Sequence, residues 1–105
     1  PHPRITPWVL QQLKQYNARA TFFCIGENVE RYPETYRQIL NEGHSVGNHT
    51  HTHPDGWQTS VPDYVQDVKQ AAKFIQSPLF RPPYGKIKSA QAKNLPAAMG
   101  VKPTV

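Results

Sequence analysis

Several features that would classify this chain quickly are scarce in it. There is one cysteine, Cys24, which excludes an internal disulfide framework. No stretch approaches the ~20 consecutive apolar residues of a membrane span. Acidic residues stop at Asp67, whereas Lys69, Lys73, Arg81, Lys86, Lys88, Lys93 and Lys102 all follow it. A basic half invites a polyanionic partner. Yet there is no stacked Lys/Arg block and no finger, helix-turn-helix or ribonucleoprotein signature, so the net charge of +5 reads as a solvated face, not a nucleic-acid surface. No repeat, low-complexity segment or linker interrupts the chain. No secretory leader is visible, and the sequence begins at Pro1 without a Met. Apolar residues make up only 37% of the 105, which is lean. Recurring apolar runs and well-spread aromatics (Trp8, Tyr16, Phe22, Phe23, Trp57, Phe74, Phe80) still argue for one folded domain.

The apolar periodicity alternates. Thr6-Pro7 has the form of a helix start, with Thr6 as N-cap, and Trp8, Val9, Leu10, Leu13 and Tyr16 follow on one face up to Asn17. Ala20 to Gly26, "ATFFCIG", reads as a buried strand that keeps Cys24 in the core. A helix is predicted from about Pro33 to Asn41, with Tyr36, Ile39 and Leu40 inward and Gly43 past its end. His44 to Gly47 reads as a short strand whose His44 has a structural, hydrogen-bonded role. Ser60 and Asp63 resemble a capping box ahead of Tyr64, Val65, Val68, Ala72 and Ile75. Leu79 begins a further strand that Pro82 and Pro83 stop. Ser89 is expected to cap a last helix, which Pro96 should kink or end early. The final "VKPTV" could begin an edge strand. Helices alternating with strands predict parallel strands with crossover helices, and in such folds active sites gather at the C-terminal ends of the strands.

Two motifs fall at such ends. The first is "GNHTHTHP", Gly47 to Pro54. Neutral imidazole is a good ligand for Zn²⁺. On a helical turn His49 and His53 would share a face. On a strand His49, His51 and His53 would all point one way. Spacing alone therefore leaves His51 in play. A catalytic zinc generally takes three protein ligands and a water, so the pair needs a partner, and Asp55 is the nearby carboxylate. From these residues alone, metal ligation and a surface histidine cluster both stand.

The second motif is "RPPYG", Arg81 to Gly85. Its prolines fix their own φ angles and restrict the residues before them. So stiff a segment can hold an arginine and a backbone N–H toward a reacting carbonyl. It can equally be a plain Pro-Pro turn with an exposed arginine.

Taken with "ATFFCIGENVERYPE", "EGHSVGNHTHTHP", "LFRPPYG" and "SAQAKNL", the chain resembles the polysaccharide deacetylases, the NodB-homology domain of carbohydrate esterase family 4, over essentially its whole length. The resemblance implies part of a distorted (β/α) barrel with parallel strands and crossover helices. It also implies a metal-dependent hydrolase that removes N-acetyl or O-acetyl groups from a glycan such as a chitin oligomer, peptidoglycan or another N-acetylglucosamine polymer. The family's His-[Ser/Thr]-x-x-His motif carries the metal ligands onto His49 and His53. Thr50 takes the hydroxyl position that supports them, and His51 takes a variable one. Arg-x-Pro-[Tyr/Phe] falls on Arg81, Pro83 and Tyr84: the arginine orients a catalytic aspartate, and the N–H at the tyrosine position helps hold the oxyanion.

By the same resemblance, a general-base aspartate and a third, aspartate ligand belong to an Asp-Asp-Gly-Pro-like motif whose last member is Pro1. A general-acid histidine belongs to a Leu-x-His segment beyond Val105. The chain is thus expected to be a domain truncated at both ends, inactive by itself. The implied ion is divalent, Zn²⁺ foremost, with Co²⁺ or Ni²⁺ also suited. The implied setting is the cell envelope or outside the cell. A catalytically inactive glycan-binding module of the same fold is the alternative. Trp57, just after the histidines, is a candidate to stack on a sugar ring or to pack half-buried.

Overall fold

The computed structural model describes residues 5–99 and 102–103, with side chains to Leu95; the reading of Pro1 as the end of an aspartate motif lies outside the described residues. The elements run α1 (Ile5–Gln15), β1 (Thr21–Cys24), α2 (Gly26–Arg31), α3 (Pro33–Asn41), β2 (Ser45–Asn48), α4 (Val61–Ala72), β3 (Leu79–Phe80), α5 (Ser89–Met99) and β4 (Lys102–Pro103). Short 3₁₀ turns cover Gly56–Gln58 and Pro83–Gly85. The strands form one sheet in the order β1-β2-β3-β4, every neighbouring pair parallel. This is the predicted alternation, and β4 pairs Pro103 with Phe80 of β3.

Helices pack two clusters against the sheet. Leu10, Cys24, Val29, Ile39, Val46, Ala71 and Ile75 form one. Tyr64, Val68, Phe80 and Leu95 form the other. Helix α4 joins them: Tyr64, Val68 and Ala71 recur at the spacing of one helical face, and Ile75 in the following turn continues it. Its start is as predicted, the Ser60 hydroxyl accepting from the Asp63 N–H at 3.2 Å. Asn17 (φ 53°) and Gly43 (φ 84°) take the left-handed conformation just past α1 and α3, as stops require.

Some local expectations fail for identifiable reasons. Thr6 is not an N-cap: α1 already begins at Ile5, and Thr6 is buried within it. The inward line of α1 is Thr6–Leu10, which leaves Trp8 and Tyr16 outward at 61% and 76% exposure. Leu40 is likewise exposed, because Ile39 takes the centre of the α3 face. The strand predicted to reach Gly26 ends at Cys24, and Gly26 opens the short helix α2. Its N–H groups turn toward the histidine loop: Gly26 donates to the Thr50 carbonyl at 2.8 Å, and Glu27 to that of His51 at 3.0 Å. Helix α5 starts at Ser89 instead of being capped by it. Gln91, at the third helical position, reaches back to accept from the Lys88 N–H at 2.7 Å, the return half of a capping box. Pro96 does not end α5, which continues to Met99; one missing donor costs a single backbone bond in a helix that packs along α4.

Candidate metal centre

The parallel ladder delivers the site. His49 is the first residue past β2, and its N–H donates to the Cys24 carbonyl at 3.0 Å. Arg81 is the first past β3, and its N–H donates to the Asn48 carbonyl at 3.0 Å. The two sequence motifs, 32 positions apart, thus meet at one strand end.

There the His49 Nδ1 lies 2.6 Å from the Arg81 carbonyl oxygen. A carbonyl only accepts, so this contact places the His49 proton on Nδ1 and leaves Nε2 as a lone pair. That Nε2 faces the His53 Nε2 at 3.1 Å. Two nitrogens sharing one tetrahedral ion at ~2.0–2.1 Å stand about 3.3 Å apart, so the pair fits a cation between them. Desolvation by burial lowers the His49 pKa, more than its bond to the Arg81 carbonyl raises it, and the nearby His53 and Arg81 charges lower it further. The net effect favours the neutral, ligating form. Among the described residues no third His, Cys, Asp or Glu joins the pair.

The other candidates separate clearly. His51 turns away: its ring stacks on Phe74 (centroids 5.8 Å) and its Nε2 lies 3.6 Å from Glu30. Asp55 is no ligand here, because its carboxylate caps the Trp57 N–H at 2.9 Å and pairs with the Lys86 ammonium at 3.5 Å. His44 has the structural role expected, its Nδ1 accepting from the Ala20 N–H at 3.0 Å. Cys24 is buried, and burial pushes its thiol pKa up. Thr50 is wholly buried behind the pair: its hydroxyl donates to the His49 carbonyl and accepts from the His53 N–H at 3.1 Å. Pro83 is buried, and Tyr84 above it sets its ring edge-on to His53 at 4.7 Å. The Arg81 guanidinium lies 4.3 Å above the Phe23 ring. Phe23 in turn lies over Gly47, where a Cβ would come within 2.5 Å of it. Trp57 is exposed at the rim.

Strain is concentrated here. Thr50, His53 and Tyr84 have φ of 65°, 61° and 60°, and the remaining non-glycine residue with positive φ among the described residues is Asn17. Such conformations persist only where surrounding contacts over-determine them. The residues that do so were missed from the sequence. Asn48, fully buried, accepts from the Thr50 N–H at 2.8 Å and donates to the Val68 carbonyl at 3.2 Å. Asp67, from α4, accepts from the His51 N–H (2.7 Å), the Thr52 N–H (3.0 Å) and the Thr52 hydroxyl (2.7 Å). Gly26 makes room for the loop, since a Cβ there would lie 2.5 Å from the His51 Nδ1. The one sequence signal for Asp67 was its being the last acidic residue before a run of cations.

The parallel sheet thus presents two imidazoles side by side at its strand ends. The chain belongs to the polysaccharide deacetylase family, whose model matches residues 1–103. It is 39% identical over 99 residues to a peptidoglycan-N-acetylglucosamine deacetylase of Bacillus cereus, covering 89% of this chain and 36% of that protein. It is 34% identical over 110 residues to a chitooligosaccharide deacetylase of Azorhizobium caulinodans, covering 98% of this chain and 52% of that one. The solved structure of the peptidoglycan deacetylase PdaC from Bacillus subtilis superposes with a TM-score of 0.88 at 34% identity, over 100% of this chain and 53% of that one. The chain therefore spans about half or less of the length of these proteins. The fold is part of the NodB-type barrel that the sequence resemblance implied. Among the described residues no helix is long and apolar enough to cross a membrane.

Proposed function

We propose that the domain containing this chain is a hydrolase that removes acetyl groups from a polysaccharide, using a divalent ion held by His49 and His53. The observation that carries this reading is the 3.1 Å approach of the two Nε2 atoms, with the His49 proton held on Nδ1 by the Arg81 carbonyl. The names of the similar proteins support an N-acetylglucosamine polymer, peptidoglycan or a chitin oligomer, as substrate. Imidazole donors suit Zn²⁺, and also Co²⁺ or Ni²⁺. When bound, such an ion supplies Lewis-acid polarisation of an acyl carbonyl and acidifies water.

The chain's own residues orient and stabilise. The Arg81 carbonyl fixes the His49 ring, and Thr50 ties the His49 and His53 backbones together. The Tyr84 N–H is the proposed oxyanion donor, held stiffly between buried Pro83 and Gly85, whose own N–H donates to the Pro82 carbonyl at 3.1 Å. One such donor contributes about 3–4 kcal/mol to the transition state. The Arg81 guanidinium, seated over Phe23, is proposed to orient the carboxylate base. Base, third ligand and general acid are expected from flanking segments of the family's domain. The 105 residues alone are accordingly expected to bind the ion weakly and not to turn over.

The test is metal-dependent acetate release from an N-acetylglucosamine oligomer by the full-length protein, before and after chelation. His49→Ala and His53→Ala should each abolish ion retention and release, whereas His51→Ala should change ion affinity only a few-fold. Equal losses for His51→Ala would defeat the assignment of the ligand pair.

A further inference from the structure

Trp57 is 62% exposed, and the loop that carries it is tightly braced. Tryptophan, with an apolar body and a polar N–H, is enriched at recognition surfaces. Here the Trp57 N–H donates to the Asp55 carboxylate at 2.9 Å, and the Thr59 hydroxyl donates to the Asp55 carbonyl at 2.6 Å. The fully buried Gln91 donates its amide to the Gly56 and Thr59 carbonyls at 2.8 and 2.9 Å. Gly56 is buried so closely on the Lys86 carbonyl that a Cβ would overlap it. The Lys86 ammonium stands 5.0 Å from the indole centroid while paired with Asp55. It supports the ring from one side and leaves most of the residue bare.

Position matters equally. The loop begins two residues after His53, and Lys86 lies two residues after Tyr84, whose ring contacts His53. The same two segments therefore hold the imidazole pair and the indole. A side chain carried on a braced backbone loses less freedom when it binds a flat apolar face. The apolar C–H face of a pyranose is such a partner.

We propose that Trp57 is a fixed stacking platform for the pyranose ring of a sugar adjoining the one presented to His49 and His53. This rests on the deacetylase reading, and the experiment separates the two. Binding of N-acetylglucosamine tetramer and monomer to the full-length protein is measured by calorimetry for the wild type, Trp57→Ala and Trp57→Phe, with thermal melts as a folding check. Acetate release is followed in parallel. Trp57→Ala should weaken tetramer binding about tenfold, a scale typical of one aromatic contact. Trp57→Phe should keep most of the affinity, and monomer binding should shift little. Unchanged tetramer binding in a folded Trp57→Ala, or a wild type that does not prefer tetramer to monomer, overturns the platform. Trp57-dependent binding without acetate release keeps the platform and sinks the deacetylase reading.

Discussion

Asp67 touches neither imidazole of the ligand pair, yet its removal should disable the centre. Its carboxylate accepts three hydrogen bonds from residues 51 and 52, the peptide between the two ligands. Hydrogen bonds to a charged acceptor contribute about 1.5–3 kcal/mol when buried, and less at an exposed rim. The His51 N–H bond is partly buried, whereas both Thr52 bonds are exposed. Counting the first at about 1.5 kcal/mol and the others at about 0.5–1 each, Asp67→Ala should cost roughly 2.5–3.5 kcal/mol of stability. Much of that acts locally, because His53 at φ 61° has a strained backbone that needs such restraint. Ion affinity should therefore fall about 10–100-fold, the scale of lost support behind a ligand. Asp67→Asn keeps the shape and an acceptor oxygen, and should lose about half as much. Urea unfolding of the metal-free protein and a competitive chelator titration read the two quantities. If Asp67→Ala unfolds at lower urea while retaining wild-type ion affinity, the carboxylate supports only the fold, and the coupling argued here is wrong.

The remaining expectations concern other buried polar groups. Gln91→Leu removes the amide that serves the Gly56 and Thr59 carbonyls and the Lys88 N–H, and should cost about 2–4 kcal/mol in a denaturant melt. Gly56→Ala must push its Cβ against the Lys86 carbonyl, so a loss of about 3 kcal/mol or more is expected, together with a changed Trp57 fluorescence. Tyr64→Phe should be neutral or stabilise by about 1 kcal/mol, since the Tyr64 hydroxyl is buried with no hydrogen-bond partner among the described residues. Burial also raises the Tyr64 and Cys24 pKa values. An acid whose folded pKa is raised stays protonated in the native state while the unfolded chain ionises. Stability should hold below about pH 8.5–9 and decline as pH rises through the unfolded Cys and Tyr values, with a shallower decline in Tyr64→Phe. A steeper alkaline decline in that variant would contradict the sign.

Which parts of this were legible in the sequence follows from where the information lies. The α/β alternation is local: apolar runs such as Thr21–Cys24 and the helical spacing of Tyr64, Val68 and Ile75 announce themselves within a dozen residues. The faces of α1 were read less well, because Trp8 and Tyr16 are apolar yet point outward, and a pattern of residue types does not record which side has a neighbour. The short helix α2 escaped because its six residues carry no apolar period. It exists to place two N–H groups on the Thr50 and His51 carbonyls, a tertiary demand that a local reading does not see.

The site divides in the same way. His49, His53 and Arg81 were found through motifs, but spacing could not rank His51 below its neighbours, since it permits both a strand, on which all three point alike, and a helical turn. The structure is neither. Left-handed residues at Thr50 and His53 turn the chain sharply enough to bring the outer imidazoles together and send His51 to Phe74. That geometry is imposed by Asn48, Asp67 and Gly26, which lie on three different elements and become a group only when the sheet closes. A motif names the atoms that would hold an ion. The chain segments that bend it into a binding geometry are dispersed, carry ordinary residue types, and can be recognised only by the hydrogen bonds they make.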